Sequence, residues 1–354
     1  MAIKLKKLRD QVIVITGASS GIGLATARMA AEHGARLVLA ARSSNSLREL
    51  TDEITRRGGA AVHVPADVGK LEEVREIARA AEDRFGGFDT WVNNAAIATY
   101  GKLFEVPIED MRRLFETNFW GMVYGSLEAA RHLRRRGGAL INIGSTLSDR
   151  ALPLQGIYSA SKHAVKAFTD ALRMELEEEG ARISVTLIKP GAIDTPYTQH
   201  ARNYMDSEAQ HAPPVYAPET VARAILHCAE TPERDVFVGA GGKAISAMGQ
   251  YAPRLTDKIM EKFAFQRQKS GRRPRRENEA FDRPSENLEE RGGYEGNVAE
   301  TSLYTQASLR PVLTGAAIIG AGIAAAALLR GSQPEERNRE LPQPEGRDRE
   351  LPTH

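Results

Sequence analysis

Residues 12–23 read Val-Ile-Val-Ile-Thr-Gly-Ala-Ser-Ser-Gly-Ile-Gly and leave the chain few ways to fold. Four β-branched apolar residues in a row make a buried strand, and the long amphipathic stretch after them makes a helix. Between the two, glycines at 17, 21 and 23 let the backbone turn sharply and bring N–H groups and a helix N-terminus close to an anion. Strand, glycine turn and helix in that order cradle the diphosphate of a dinucleotide. The spacing Gly-x-x-x-Gly-x-Gly differs from the commoner Gly-x-Gly-x-x-Gly, so the residues downstream decide the matter.

From residue 11 to about 240, short β-branched runs alternate with helical periods. The strands expected are Gln11–Thr16, Arg36–Ala41, Ala61–Val64, Thr90–Asn93, Ala139–Gly144, Ile183–Lys189 and Asp235–Val238. The pattern predicts an α/β fold, a Rossmann-like doubly wound parallel sheet of about seven strands with helices on both faces. After Arg42, Ser and Asn at 43 to 46 can cap a helix, Leu47, Leu50 and Ile54 share one face, and Gly58-Gly59 ends it. With 48 basic and 46 acidic residues the net charge is +2, which gives no global electrostatic case for nucleic-acid binding. The single cysteine, Cys228, excludes an internal disulfide, and the eight histidines show no metal-ligand spacing. Met1 to Leu8 carries lysines but no apolar leader, so the expected compartment is reducing and cytoplasmic.

Tyr158-Ser-Ala-Ser-Lys162 falls at the start of an expected helix, with Tyr158 and Lys162 four residues apart on one face. A tyrosine of ordinary pKa, ~10, is a poor base near neutrality, and an adjacent ammonium lowers that value by stabilising the phenolate. Tyr158 could then exchange a proton with a substrate alcohol or ketone. Ser145, at the end of the fifth strand, is placed to hold the same substrate oxygen, and Asn118 lies in the helix before that strand. Any one of these residues alone would read as an ordinary surface or capping residue.

Together, the glycine loop at 16–23, Asn93-Asn94-Ala95-Ala96, Asn118, Ser145, Tyr158-x-x-x-Lys162 and Pro190-Gly191 with Thr195 resemble the short-chain dehydrogenase/reductase family over roughly residues 10–240. The resemblance implies Tyr158 as general acid/base, Ser145 positioning the substrate oxygen, Lys162 also binding the nicotinamide ribose, and Asn118 maintaining a water relay to Lys162. It implies cofactor contacts from Gly17, Ser19, Ser20, Gly21, Ile22, Gly23, Asp67, Val68, Asn94, Pro190, Gly191, Ile193 and Thr195. Asp67-Val68 resembles the adenine-contacting pair. Ala96 stands where the family often has glycine. At the end of the second strand an acidic residue accepts from a ribose 2′-OH, whereas an arginine accommodates a 2′-phosphate. This chain offers Ala41-Arg42, so NADP is expected over NAD, the alternative being that Arg42 is a solvated surface residue.

Domain boundaries follow from composition. Residues 1–265 are expected to form the catalytic domain, with Pro196–Ala217 as a lid and Tyr197, Tyr204 and Tyr216 as candidate lining residues. Residues 266–276 hold six Lys/Arg and no acid, and 266–309 reads as a flexible charged linker. Residues 310–330 contain the uncharged run 312–329 and read as a transmembrane or membrane-associated helix in contact with lipid; 331–354 is a polar repeat tail. The helices around 107–135 and 158–179 resemble those through which family members form homo-oligomers. The function expected is NADP-dependent hydride transfer between a carbonyl and a secondary alcohol of a small-molecule substrate. The alternative is a non-catalytic, membrane-tethered dinucleotide-binding scaffold or sensor.

Overall fold

Each of the seven short apolar runs forms a strand, and together they make one parallel sheet. In the computed structural model, which describes residues 3–274 and 279–309, these are β1 (Val12–Thr16), β2 (Arg36–Ala41), β3 (Ala60–Pro65), β4 (Thr90–Asn93), β5 (Gly138–Ile143), β6 (Ile183–Pro190) and β7 (Asp235–Val238). Their spatial order is β7-β6-β5-β4-β1-β2-β3, with the topological switch between β1 and β4. Helices α1 (Gly21–Glu32), α2 (Ser44–Arg56), α3 (Leu71–Phe85), α4 (Ile108–Phe115), α5 (Gly121–Arg136) and α6 (Gly156–Glu178) follow in turn. After β6 come the single turn α7 (Tyr197–His200), α8 (Pro218–Glu230), α9 (Ala240–Tyr251), α10 (Pro253–Arg267) and α11 (Leu303–Leu309).

The period of two along β1 builds both layers of the core. Ile13 and Ile15 pack with Leu24 of α1, Leu47 and Leu50 of α2 and Val221 and Ile225 of α8. Val12 and Val14 point the other way, to Val74 and Ile77 of α3, Leu133 of α5 and Leu172 of α6. Ser43 caps α2 by accepting from the Ser46 amide at 3.2 Å, and Leu47, Leu50 and Ile54 are its buried face.

The described residues of 266–309 are not the flexible linker that their composition implies. They belong to one compact unit with the sheet. Residues 268–270 run antiparallel to 208–210 (Gln210 N–H to Gln268 O, 3.0 Å; Ser270 N–H to Glu208 O, 3.0 Å). Val298–Ala299 adds a strand beside Val215–Tyr216, which itself pairs with Ala192–Ile193. Phe281 is fully buried among Ile97, Tyr100, Leu114, Leu154 and Tyr158. The physical reason is that the segment's charges have partners: Arg272 pairs with Glu208 at 2.8 Å, and Arg291 pairs with Glu219 at 2.9 Å and Glu300 at 2.7 Å. Among the described residues no helix is long and apolar enough to cross a membrane. The uncharged run 312–329 and the tail 331–354 lie outside the described residues.

Candidate active site

The glycine turn sits where the C-terminal ends of β1 and β4 meet, and its geometry admits no side chain at two places. Gly17 has φ +66°, and a Cβ there would lie 2.8 Å from the Ala95 Cα; a Cβ on Gly23 would lie 2.1 Å from the Gly17 carbonyl oxygen. The Asn94 amide nitrogen donates to the Thr16 and Gly17 carbonyls at 2.9 and 3.2 Å and so clamps the turn to β4. The Thr16 hydroxyl accepts from the Asn94 amide at 3.0 Å from the other side. A cavity of about 470 Å³ runs from this turn along the strand ends, lined by Gly17, Ser19, Ser20, Gly21, Ile22, Arg42, Asp67, Val68, Asn94, Pro190, Gly191, Ile193 and Thr195. Gly23 lies behind the turn. The cradle that a Cβ would fill, and a cavity at the switch point, fit a dinucleotide.

Two residues expected at the adenosine end, Arg42 and Asp67, have protein partners that the sequence does not disclose. The Arg42 guanidinium donates to the backbone carbonyls of Ala280, Phe281 (2.9 Å) and Arg283 (3.4 Å), all in the segment that composition had read as a linker. Asp67 is paired with Arg113 at 2.6 Å. Burial pushes its carboxyl up, but the Arg113 bond and the Gly69 amide outweigh that and hold it below its usual range. The Gly21 amide, in the phosphate cradle, donates to the Glu289 carbonyl at 2.8 Å.

Ser145, Tyr158 and Lys162 line the far end of the same cavity. The Ser145 hydroxyl accepts from the Leu147 amide at 3.0 Å, where it caps a short 3-10 turn, and hydrogen-bonds with Tyr158. Asn118 lies not in regular helix but in a five-residue π-helical turn, Glu116–Trp120, between α4 and α5. Its side chain donates to the Ile97 carbonyl (2.9 Å) and accepts from the Ile97 amide (2.8 Å), and it also donates to the Ser161 hydroxyl at 3.3 Å. Lys162 Nζ donates to the Ile143 carbonyl at 2.8 Å and stands 5.7 Å from the centre of the Tyr158 ring.

Electrostatics at this end run against the expectation from spacing alone. Burial pushes the Tyr158 phenol up to about 12, against hydrogen bonds with Tyr197 and Ser145, and burial pushes the Lys162 ammonium down to about 8. Desolvation of the phenolate is therefore the largest influence on Tyr158, opposite in sign to the lowering that an adjacent ammonium alone would give.

Of the lid tyrosines, Tyr197 and Tyr216 line the cavity, whereas Tyr204 turns away to hydrogen-bond Asp110. Sequence reasoning missed Gln155, His200, His211 and Gln268, which line it as well, and the apolar roof of Ile245 and Met248 from α9 and Ile259, Met260 and Phe263 from α10. None of these lies in a motif.

Comparison with known proteins settles the family. The family model for short chain dehydrogenase matches residues 11–206. An uncharacterized oxidoreductase, YxnA of Bacillus subtilis, is 51% identical over 323 residues, 90% of each chain. The chain belongs to the short-chain dehydrogenase/reductase family. An 11-beta-hydroxysteroid dehydrogenase A from Sesamum indicum is 38% identical over 64% of this chain and 67% of its own. Among solved structures, a short-chain dehydrogenase/reductase from Burkholderia phymatum in complex with NAD matches with a TM-score of 0.64 at 25% identity, covering 72% of this chain and 96% of that one. An alcohol dehydrogenase from Thermococcus sibiricus complexed with 5-hydroxy-NADP gives a TM-score of 0.57 at 27% identity, covering 64% and 95%. As a member of this family the protein is an oxidoreductase acting on CH-OH or C=O groups with a nicotinamide dinucleotide. These matches lend nothing to the scaffold alternative.

Proposed function

We propose that the protein is an NADP-dependent reductase of apolar ketones or aldehydes, with Tyr158 as the proton donor. The observation that carries this reading is the placement of the Tyr158 phenol beside Ser145 and Lys162 in a largely apolar cavity, where burial favours its protonated form. A nicotinamide dinucleotide held by the glycine turn would supply the hydride. Tyr158 gives its proton to the carbonyl oxygen as charge builds there, and the Ser145 hydroxyl holds that oxygen in place. Lys162, fixed by the Ile143 carbonyl, keeps a positive charge near the ring below pH about 8. Asn118, bonded to both polar groups of Ile97, fixes the backbone next to the site.

NADP preference is supported by Ala41, which leaves no carboxylate at the end of β2, and by Arg42 lining the cavity. A bulky lipophilic substrate is supported by the roof from α9 and α10 and by likeness to a hydroxysteroid dehydrogenase. A second copy of the chain is the partner we propose for the exposed Trp120, Leu127 and Met174 around α5 and α6, and light scattering on the purified protein tests it, a monomer being the overturning result. The central experiment is a screen of the full chain with NADPH and NADH against aliphatic, aromatic and steroidal carbonyls. Faster consumption of NADPH than of NADH with apolar ketones is expected, and no consumption with any carbonyl overturns the reading.

A further inference from the structure

Beside Tyr158 the cavity wall carries a line of hydrogen bonds that none of the family motifs contains. The Tyr197 hydroxyl donates to Gln155 Oε1 at 3.0 Å, and Gln155 Nε2 donates to Gln268 Oε1 at 2.7 Å. Gln268 Nε2 donates in turn to the backbone carbonyls of Pro153 at 2.9 Å and Ala264 at 3.0 Å. Both glutamines are buried.

Those two carbonyls fix the polarity of the whole line. A carbonyl only accepts, so the Gln268 nitrogen faces Pro153 and Ala264 and its oxygen faces Gln155. Gln155 must then turn its nitrogen to Gln268 and its oxygen to Tyr197. The one hydroxyl proton of Tyr197 is thereby committed to Gln155, and its oxygen is left to accept: the Tyr158 hydroxyl hydrogen-bonds to it, and a carbonyl that takes the Tyr158 proton leaves that lone pair facing the ligand. The ring has little freedom to change this. It meets Tyr158 edge-on at 5.4 Å and Tyr100 at 6.2 Å, and His211 stacks on it at 6.2 Å. His211 extends the same character: burial keeps its imidazole below the usual range, its ring is held to the Thr195 backbone, and its Nε2 is buried without a hydrogen-bond partner.

Tyr158 and Ser145 thus offer donors for a carbonyl oxygen, and the neighbouring Tyr197 offers an acceptor with no proton to give. A ligand that satisfies both carries a ketone and, on the adjacent carbon, a hydroxyl. We propose that Tyr197 is a specificity residue and that the substrate is a 2-hydroxyketone on an otherwise apolar skeleton, its hydroxyl donating to the Tyr197 oxygen while its carbonyl accepts from Tyr158 and Ser145. A plain ketone leaves the half-buried tyrosine oxygen facing carbon, and a site built for a hydroxyl discriminates against such an analogue. In the reaction the hydride adds to the carbonyl carbon, the C=O π pair passes to oxygen, and oxygen takes the Tyr158 proton, giving a vicinal diol. The inference rests on the carbonyl-reductase reading above.

Three diphenyl ketones of one skeleton test it with the full chain: benzoin, its O-methyl ether, which keeps the oxygen but not the donor, and deoxybenzoin. The wild type is expected to prefer benzoin over each of the others by about tenfold in kcat/KM, the worth of one buried hydrogen bond. In Tyr197→Phe the preference for benzoin over the methyl ether should collapse to within about twofold. Gln155→Leu, which frees the Tyr197 proton to turn into the cavity, should lower the same ratio about threefold or more. A ratio near one in the wild type, or one unchanged in both variants, overturns the role of Tyr197 while leaving the reductase standing. Silence with all three ketones and with every carbonyl of the wider screen removes the reductase reading and this inference with it. An equal drop in all three rates in Tyr197→Phe shows that the residue only seats Tyr158, and also overturns the proposal.

Discussion

The glycine turn after β1 and the segment 279–309 both border one cavity, and they hold their shapes by different means. The turn depends on what is missing: at Gly17 and Gly23 any Cβ would collide with backbone. The later segment depends on a few anchors set wide apart, among them Phe281 in the core, the carbonyls that receive Arg42, and the Glu289 carbonyl that receives the Gly21 amide. One side tolerates almost no substitution at its key positions, while the other tolerates change everywhere except at its anchors. The two meet at Tyr158, which lines the cavity with the turn and shares a buried cluster with Phe281.

The largest expected effect breaks the anchored side. Phe281→Ala empties a fully buried site shared with Tyr158 and should cost about 3–5 kcal/mol of unfolding free energy in a urea titration. A true linker would show no change. Next comes the residue where the two meet: Tyr158→Phe should keep the fold and cofactor binding but lower turnover by at least ~10²-fold. Comparable activity in that variant would mean that another group delivers the proton.

Arg42 belongs to both sides, which makes it the sharper probe. Arg42→Ala should weaken NADPH by about 1.5–3 kcal/mol, the value of hydrogen bonds to a charged group, and NADH by much less, read by fluorescence titration of each. Equal losses for the two would assign Arg42 to fastening residues 280–283 alone. The smallest effect is in pH. Lys162, pushed down to about 8, is charged below that value and neutral above it, so kcat/KM for reduction should fall as pH rises through 8. Tyr158 stays protonated until about 12 and adds no limb in that range, and Lys162→Arg should abolish the fall.

Why one side was legible in the sequence and the other was not follows from how each is encoded. The strands announce themselves because burial on both faces demands unbroken runs such as Val12-Ile-Val-Ile15, and Ser145, Tyr158 and Lys162 because a proton relay needs those residue types at fixed spacings. Residues 266–309 contain no such run. Arg202 shows the difficulty: it pairs with Glu279 at 2.6 Å, Asp282 at 2.6 Å and Asp110 at 3.0 Å, so charges that composition treats as solvated find partners about eighty or more positions away. Gln268 carries no periodic signal either, yet it sets the direction of the bonds that reach Tyr197. The burial around Tyr158, which pushes its phenol up, is equally out of reach, since local spacing reports the lysine but not the dry surroundings.

Phe281 also has a place in time. Chains are made from the N-terminus, and domains fold as they emerge. The strands through Val238 and all four of Asn118, Ser145, Tyr158 and Lys162 leave the ribosome before Phe281 does. For that interval the apolar cluster that holds Tyr158 lacks its fully buried phenylalanine. Phe281 completes that cluster, and the same short stretch supplies the carbonyls that receive Arg42. The last tenth or so of the described chain is in this sense the cork of a vessel already shaped, and nascent chains stalled before and after residue 281 should differ in protease resistance at Tyr197–His200.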